Sequence, residues 1–218
     1  MLRLTQHGLR EIVAGTIILG AIAVGLALVH WALAVPVAVI WIWLISFFRD
    51  PDRPIPSEPG LMVSPADGKV TDIIELPDCD LVGGPAVRIG IFLSVFSVHV
   101  NRSPCDGRVV AVNYRKGRFI NALHFDKASE HNEASTLVLA DAGGQPIAAV
   151  RQIAGLIARR IICTAAVGDS LSRGQRLGMI KFGSRTELYI PKRLSPQVVV
   201  SVGQAVRGAK HVVARVKQ

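Results

Sequence analysis

From residue 12 to residue 48 the chain has no aspartate, glutamate, lysine or arginine. That gap excludes a conventional water-facing surface for the stretch. One straight helix over it would run roughly 55 Å at 1.5 Å per residue, against a hydrocarbon core of about 30 Å. Two shorter apolar helices fit better, over residues 12–29 and 32–48, reversing near His30, Trp31 and Pro36. Arg3 and Arg10 flank one end, Arg49 and Arg53 the other. If basic residues mark the cytoplasmic side, both ends are cytoplasmic and the expectation is a membrane hairpin at residues 1–48. The run is far longer than the apolar core of a secretory leader, and no convincing small-residue cleavage site lies beyond it. His30, at the expected reversal, reads as an interfacial polar residue.

Cysteine is scarce as well. Cys79, Cys105 and Cys163 are three and scattered, with no Cys-x-x-Cys or Cys/His spacing. A disulfide framework and a cysteine-based metal site are therefore not expected, and a reducing compartment fits. Tryptophan is absent outside the apolar run: Trp31, Trp41 and Trp43 all lie inside it. The net charge of +9 could suit nucleic acid or an anionic membrane. With no tryptophan interleaved among basic residues as a stacking platform, the membrane is the expected partner and nucleic acid is not.

Beyond the apolar run the chain changes character. Arg49-Asp50-Pro51-Asp52-Arg53-Pro54-Ile55-Pro56 carries three prolines in a short space. It cannot continue a helix and reads as an extended linker, residues 49–60. From residue 61 to 218 the pattern is of short strands. Ala66-Asp67-Gly68-Lys69-Val70 and Cys105-Asp106-Gly107-Arg108-Val109 are two copies of a turn that opens a strand. Residues 87–93, 137–139, 147–150 and 160–163 extend the series. Val167-Gly168-Asp169-Ser170-Leu171 and Val202-Gly203-Gln204-Ala205-Val206 form a second repeat, suited to tight turns between short strands. One helix is expected, near residues 126–133. The fold expected is mainly β: a barrel-sandwich-like domain behind a membrane helical hairpin.

The candidate chemistry lies in Lys181-Phe182-Gly183-Ser184-Arg185. A serine after a glycine in a tight turn can attack the preceding carbonyl, convert the peptide to an ester and eliminate. The chain is then cut, and the new N-terminus, after losing ammonia, is a pyruvoyl group. Serine is required because its β-oxygen is first nucleophile and then leaving group. A bare Gly-Ser pair is common, so its surroundings decide.

Those surroundings resemble the phosphatidylserine decarboxylases in their short proenzyme form. Phe47-Phe48-Arg49-Asp50-Pro51 is similar to the family's approach to its catalytic domain, and Ser64-Pro65-Ala66-Asp67-Gly68 to its aspartate motif. Phe92-Leu93-Ser94, with Val98-His99-Val100-Asn101-Arg102-Ser103-Pro104, resembles its histidine motif. Residues 174–185 resemble the cleavage segment, with Phe-Gly-Ser-Arg where longer members have Leu-Gly-Ser-Thr. The resemblance implies self-cleavage between Gly183 and Ser184, a covalent pyruvoyl cofactor from Ser184, and pieces 1–183 and 184–218. The implied reaction is conversion of phosphatidylserine to phosphatidylethanolamine and CO₂ at the cytoplasmic side of the inner membrane. The pyruvoyl ketone would take up the headgroup amine and serve as an electron sink. His99 is the expected proton donor, and Asp67 would orient His99 or assist the Ser184 hydroxyl. Asp before Gly is also an ordinary turn residue, as Asp106 illustrates.

One departure concerns the base. Longer members carry a second histidine three residues on, to which self-cleavage is chiefly assigned; this chain has Arg102 there. Either His99 serves both steps or the base lies elsewhere, with His124 and His131 ranked lower. Arg102, Arg115, Lys116 and Arg118 are candidates for the lipid phosphate. No metal is expected, and a homo-oligomer is compatible with these residues without being specified by them. Two other readings compete. One is a membrane-anchored, non-catalytic barrel-sandwich module of the lipoyl or adaptor kind. The other is a serine hydrolase using Ser184, His99 and Asp67, against which the absence of a G-x-S-x-G elbow counts.

Overall fold

The computed structural model describes residues 3–120, 125–155, 160–181 and 184–217. The chain divides into two compact units, residues 1–52 and 53–218. In the first, helix α1 (Leu9–Val29) and helix α2 (Ala34–Phe47) are joined by a 3-10 turn over Trp31–Leu33. His30 ends α1, and its Nδ1 accepts the Ala32 N–H at 3.2 Å, so the reversal is held by a side-chain cap. Pro36 stands in the first turn of α2, where its missing N–H would have had no intrahelical partner. Trp41 Nε1 donates to Thr16 Oγ1 at 2.9 Å, bonding the two arms of this unit. Among the described residues, the helical stretch Gln6–Val29 alone is long and apolar enough to cross a bilayer; the second arm is shorter.

The second unit is mainly β. Its strands are β1 (Leu61–Val63), β2 (Gly68–Leu76), β3 (Ala86–Leu93), β4 (Val100–Arg102), β5 (Gly107–Arg115), β6 (Ala134–Ala140) and β7 (Pro146–Ile153). They continue as β8 (Arg160–Cys163), β9 (Ser170–Leu171), β10 (Arg176–Lys181), β11 (Ser184–Pro191), β12 (Gln197–Val198), β13 (Ala205–Val206) and β14 (Val212–Arg215). A short helix, α3 (Phe125–His131), precedes β6. A curled eight-stranded sheet runs β13-β2-β3-β11-β7-β6-β5-β9, and two small sheets run β1-β14-β12 and β4-β10-β8. The main apolar core joins Ile89, Ile91, Leu139, Val150, Leu188 and Ile190 of the large sheet to Met62, Leu177 and Val213 of the small ones.

The two repeats seen in the sequence are halves of one symmetrical arrangement. Ser64 Oγ donates to Ala66 O at 2.6 Å, and Ser103 Oγ to Cys105 O at 2.7 Å. The two turns exchange bonds, Val63 N–H to Pro104 O and Arg102 N–H to Pro65 O, both at 2.9 Å. β13 pairs with the start of β2 as β9 pairs with the start of β5. Even the bulges correspond, between Val70 and Asp72 and between Val109 and Ala111. The unit thus consists of two equivalent seven-strand sets. One is β4 to β10; the other is β1 to β3 continued by β11 to β14. The first set is inserted into the second, between Leu93 and Ser184, which face each other across a β3–β11 pair that would otherwise close as a hairpin. The corresponding β6–β7 pair in the inserted set does close, through residues 141–145.

Candidate active site

Ser184 is the first residue of β11, at the point where the inserted set ends. β11 is central: it pairs with β3 on one side and β7 on the other, and every residue in it is buried. Strand alternation divides its side chains between two faces. Ser184, Thr186, Leu188 and Ile190 share one face, with Leu188 and Ile190 in the main core. Arg185, Glu187 and Tyr189 share the other.

On its own face Ser184 adjoins a buried polar chain. The Thr186 Oγ1 accepts from Asn101 Nδ2 at 2.9 Å, and Asn101 Oδ1 accepts from Gln152 Nε2 at 2.9 Å. Asn101 also donates to Pro65 O at 3.5 Å, reaching the segment that leads to Asp67. A step of two residues leads from Thr186 to Ser184, and the same step leads from Asn101 to His99. Ser184 Oγ is fully buried and has no hydrogen-bond partner among the described residues. A buried hydroxyl without a partner carries a desolvation cost that most hydroxyls avoid.

His99 is fully buried. Its Nδ1 lies 2.9 Å from Ser97 O, and its own carbonyl accepts the Ile180 N–H at 3.2 Å. A carbonyl can only accept, so Nδ1 carries the proton and, in the neutral ring, Nε2 carries the lone pair. The turn that supplies Ser97 starts at Ser94, the residue after Ser184's strand partner Leu93, and is closed by the Ser97 N–H to Ser94 O at 2.9 Å. One short turn thus adjoins the serine and orients the imidazole.

Asp67 is held elsewhere. Its carboxylate takes both Nη groups of Arg53 and the Gly208 N–H at 2.8 Å. No described hydrogen bond joins it to His99 or Ser184. The Gly208 contact is matched in the inserted set, where Asp106 Oδ1 accepts the Arg173 N–H at 2.8 Å. Arg53 is what distinguishes Asp67 from its twin. Arg102, at the second histidine position, is buried and donates to Gly174 O at 3.1 Å, binding loops together. His131 ends α3 near Glu130 at the surface. Gly183, the other half of the expected scissile bond, and His124 lie outside the described residues.

The opposite face of β11 holds a cluster that the sequence does not announce. Arg185, wholly buried, donates to Glu187 Oε1 at 2.9 Å, Thr71 Oγ1 at 2.6 Å and Asp72 Oδ2 at 2.7 Å. Glu187 also accepts from Ser129 Oγ and Tyr189 Oη, each at 2.6 Å. Burial by itself would raise the Glu187 pKa. Arg185, the two hydroxyls and Arg88 outweigh it and hold the carboxyl below its ordinary value. Burial and then Glu187 push the Tyr189 phenol up. Gly90, opposite Glu187, leaves the room: a Cβ there would collide with the Arg185 guanidinium and the Asp72 carboxylate. The only sequence signal is the pair of opposite charges two apart in an otherwise uncharged strand.

The chain is similar to known proteins over most of its length. The family model for phosphatidylserine decarboxylase matches residues 41–214. The chain belongs to that family. A phosphatidylserine decarboxylase proenzyme of Rhodopirellula baltica is 44% identical over 97% of this chain and 87% of its own length. One of Symbiobacterium thermophilum is 46% identical over 91% and 90%, and one of Cupriavidus pinatubonensis 42% over 86% and 84%. Both the family resemblance and the mainly β fold expected from the sequence are borne out, and the chain is a decarboxylase. The non-catalytic module reading is set aside on that ground. The hydrolase reading lacks its carboxylate–imidazole pair, since the His99 Nδ1 bond that a triad gives to aspartate goes here to Ser97 O.

Proposed function

We propose that this chain cuts itself between Gly183 and Ser184 and then decarboxylates phosphatidylserine to phosphatidylethanolamine and CO₂. Membership of the family supports the lipid reaction, and its relatives' name, proenzyme, supports processing. The observation that carries the reading here is the buried, unpartnered Ser184 Oγ at the start of a central strand. A hydroxyl that will be consumed can be removed from this position without orphaning a donor or acceptor, so the site fits a group made from Ser184.

Ser184 Oγ attacks the Gly183 carbonyl carbon, and the acyl group moves from nitrogen to oxygen. Loss of the Ser184 α-proton then expels Gly183 as a carboxylate. Hydrolysis of the resulting terminus consumes one water, releases ammonia and leaves a pyruvoyl group. That group supplies a ketone able to take up the substrate amine and the electrons left by CO₂. His99, oriented through Nδ1, uses Nε2 to move protons, including the one delivered to the carbon that CO₂ leaves. Asn101 positions it through the chain to Thr186. Asp67 acts at one remove, fixing Arg53 and the 66–68 turn beside β3. The burial of Ser184 and His99 excludes bulk water from the exchange. The apolar residues 1–48 anchor the enzyme, with residues 49–60 as linker and 61–218 as the catalytic part on the cytoplasmic side.

Mass spectrometry of purified active protein tests this directly. The expected masses are those of residues 1–183 and of 184–218 with a ketone-reactive, Edman-blocked terminus. Ser184→Ala should stay whole and release no CO₂ from phosphatidylserine. Normal cutting of Ser184→Ala, or full activity of an uncut chain, would overturn the proposal.

A further inference from the structure

The large sheet has two ends of different character. Register sets Gly68, Leu93, Ser184, Ile153, Ala134 and Arg115 together at one of them. Among the described residues, the segments crossing that end expose two large aromatic side chains: Phe96, 70% exposed at the tip of the Ser94–Ser97 turn, and Tyr114, 62% exposed. Lys116, Arg118 and Lys127 are exposed beside them. The described carboxylates there are Glu130, Glu133, the latter next to the Tyr114 hydroxyl, and Asp67, which is bound to Arg53. The other end exposes Asp78, Asp80 and Asp141, with Lys192 and Arg193. Arg53, the first residue of this unit, is bound to Asp67 just before Gly68. This unit therefore begins, at Arg53, on the aromatic, basic end.

We propose that this end docks on an anionic lipid bilayer, with Phe96 inserted beneath the headgroups and Tyr114, Lys116 and Arg118 at headgroup level. The proposal rests on the reading of phosphatidylserine as substrate and names the surface through which that substrate arrives. Aromatic side chains favour the membrane interface, and exposed basic residues gain from lipid phosphates nearby. The docking acts on chemistry because the turn bearing Phe96 also presents Ser97 O to His99 Nδ1. Seating Phe96 fixes the turn that orients the imidazole, so contact with the bilayer favours the competent ring position.

The test uses full-length protein reconstituted in phosphatidylserine/phosphatidylcholine vesicles. A nitroxide is placed at Phe96→Cys, with Val167→Cys at the opposite end for comparison, both in a Cys163→Ser background. Position 96 should be reached by oxygen and shielded from a water-soluble nickel relaxant, and position 167 the reverse. Kinetically, Phe96→Ser should lower the ratio of vesicle to dihexanoyl-phosphatidylserine turnover by about tenfold, the scale of one buried phenyl group. Equal nickel access at 96 and 167 overturns the proposal, as does an unchanged ratio. Shielding from nickel without oxygen access would point to a protein partner and overturn it too. If the unsubstituted enzyme released CO₂ from neither lipid, the substrate reading would fail, while the nitroxide would still decide whether this end meets a bilayer.

Discussion

At the scale of single residues, the Arg185–Glu187–Asp72 cluster shows how strongly one position depends on its neighbours. Arg185 has two carboxylates and a hydroxyl around it, so Arg185→Met leaves Glu187 and Asp72 without their main cation. Breaking a buried pair from one side costs about 3–5 kcal/mol, and urea unfolding of the variant should show a loss of that order. Gly90→Ala acts on the same cluster by crowding it. Overpacking of this kind costs about 1–3 kcal/mol, which a lowered thermal midpoint would register. Glu187 adds a pH dependence. Its carboxyl is held below the ordinary 4.5 in the folded chain, so its contribution is present above that value. It is lost as pH falls from 4.5 through the lower folded value. Unfolding free energies measured down this range should fall more steeply for the unsubstituted chain than for Glu187→Gln. The charge pair Arg185/Glu187 hints at this cluster, but its distant partners could not be read from the sequence, because Arg185 and Asp72 stand 113 residues apart. Ser184 and His99 could be singled out as candidates because each lies in a contiguous motif.

At the scale of elements, strands were legible wherever apolar runs come after a turn. β8 occupies the expected 160–163, and β3 begins one residue before the expected 87. The paired Asp-Gly turns and paired Val-Gly units were visible as repeats. What they build was not, since each binds a partner far along the chain: β2 takes β13, and β5 takes β9. Long-range pairing of this kind leaves no local periodicity to read. The repeat also frames Asp67 and Asp106 as an internal comparison. Each accepts one backbone N–H at 2.8 Å, but Asp67 alone has Arg53, with side chains only 9% and 13% exposed for the pair. Asp67→Asn should therefore destabilise the fold by about 1–3 kcal/mol more than Asp106→Asn, as chemical denaturation would show. The role implied by the family adds that Asp67→Asn slows self-cutting in protein that remains folded. A time course of fragment formation reads this separately from stability. Equal effects of the two variants on both measurements would make Asp67 an ordinary turn residue.

At the scale of the whole molecule, the inserted arrangement decides what a cut at Ser184 does. The proposed cut falls just before β11, the strand at which the chain resumes the set that began with β1. After the proposed cut, β1 to β3 would belong to one piece and β11 to β14 to the other, though they complete one set. β11 still lies between β3 and β7, β14 still pairs with β1, and β13 with β2. Leu188, Ile190 and Val213 from the small piece remain in the core with Ile89, Ile91 and Val150 from the large one. Each such aliphatic side chain contributes about 1.5–3 kcal/mol when fully buried, so several together far outweigh the loss of one peptide bond at a strand end. The two pieces should co-elute in gel filtration in non-denaturing detergent and separate only in concentrated urea or guanidinium. Once separated and diluted, residues 184–218 should have no stable sheet of their own, because their longest strand, β11, has both neighbours in the other piece. Circular dichroism of the isolated small piece checks this: a folded β spectrum would mean that the second set does not need its first three strands, and the interlocking of the two pieces would lose its energetic basis.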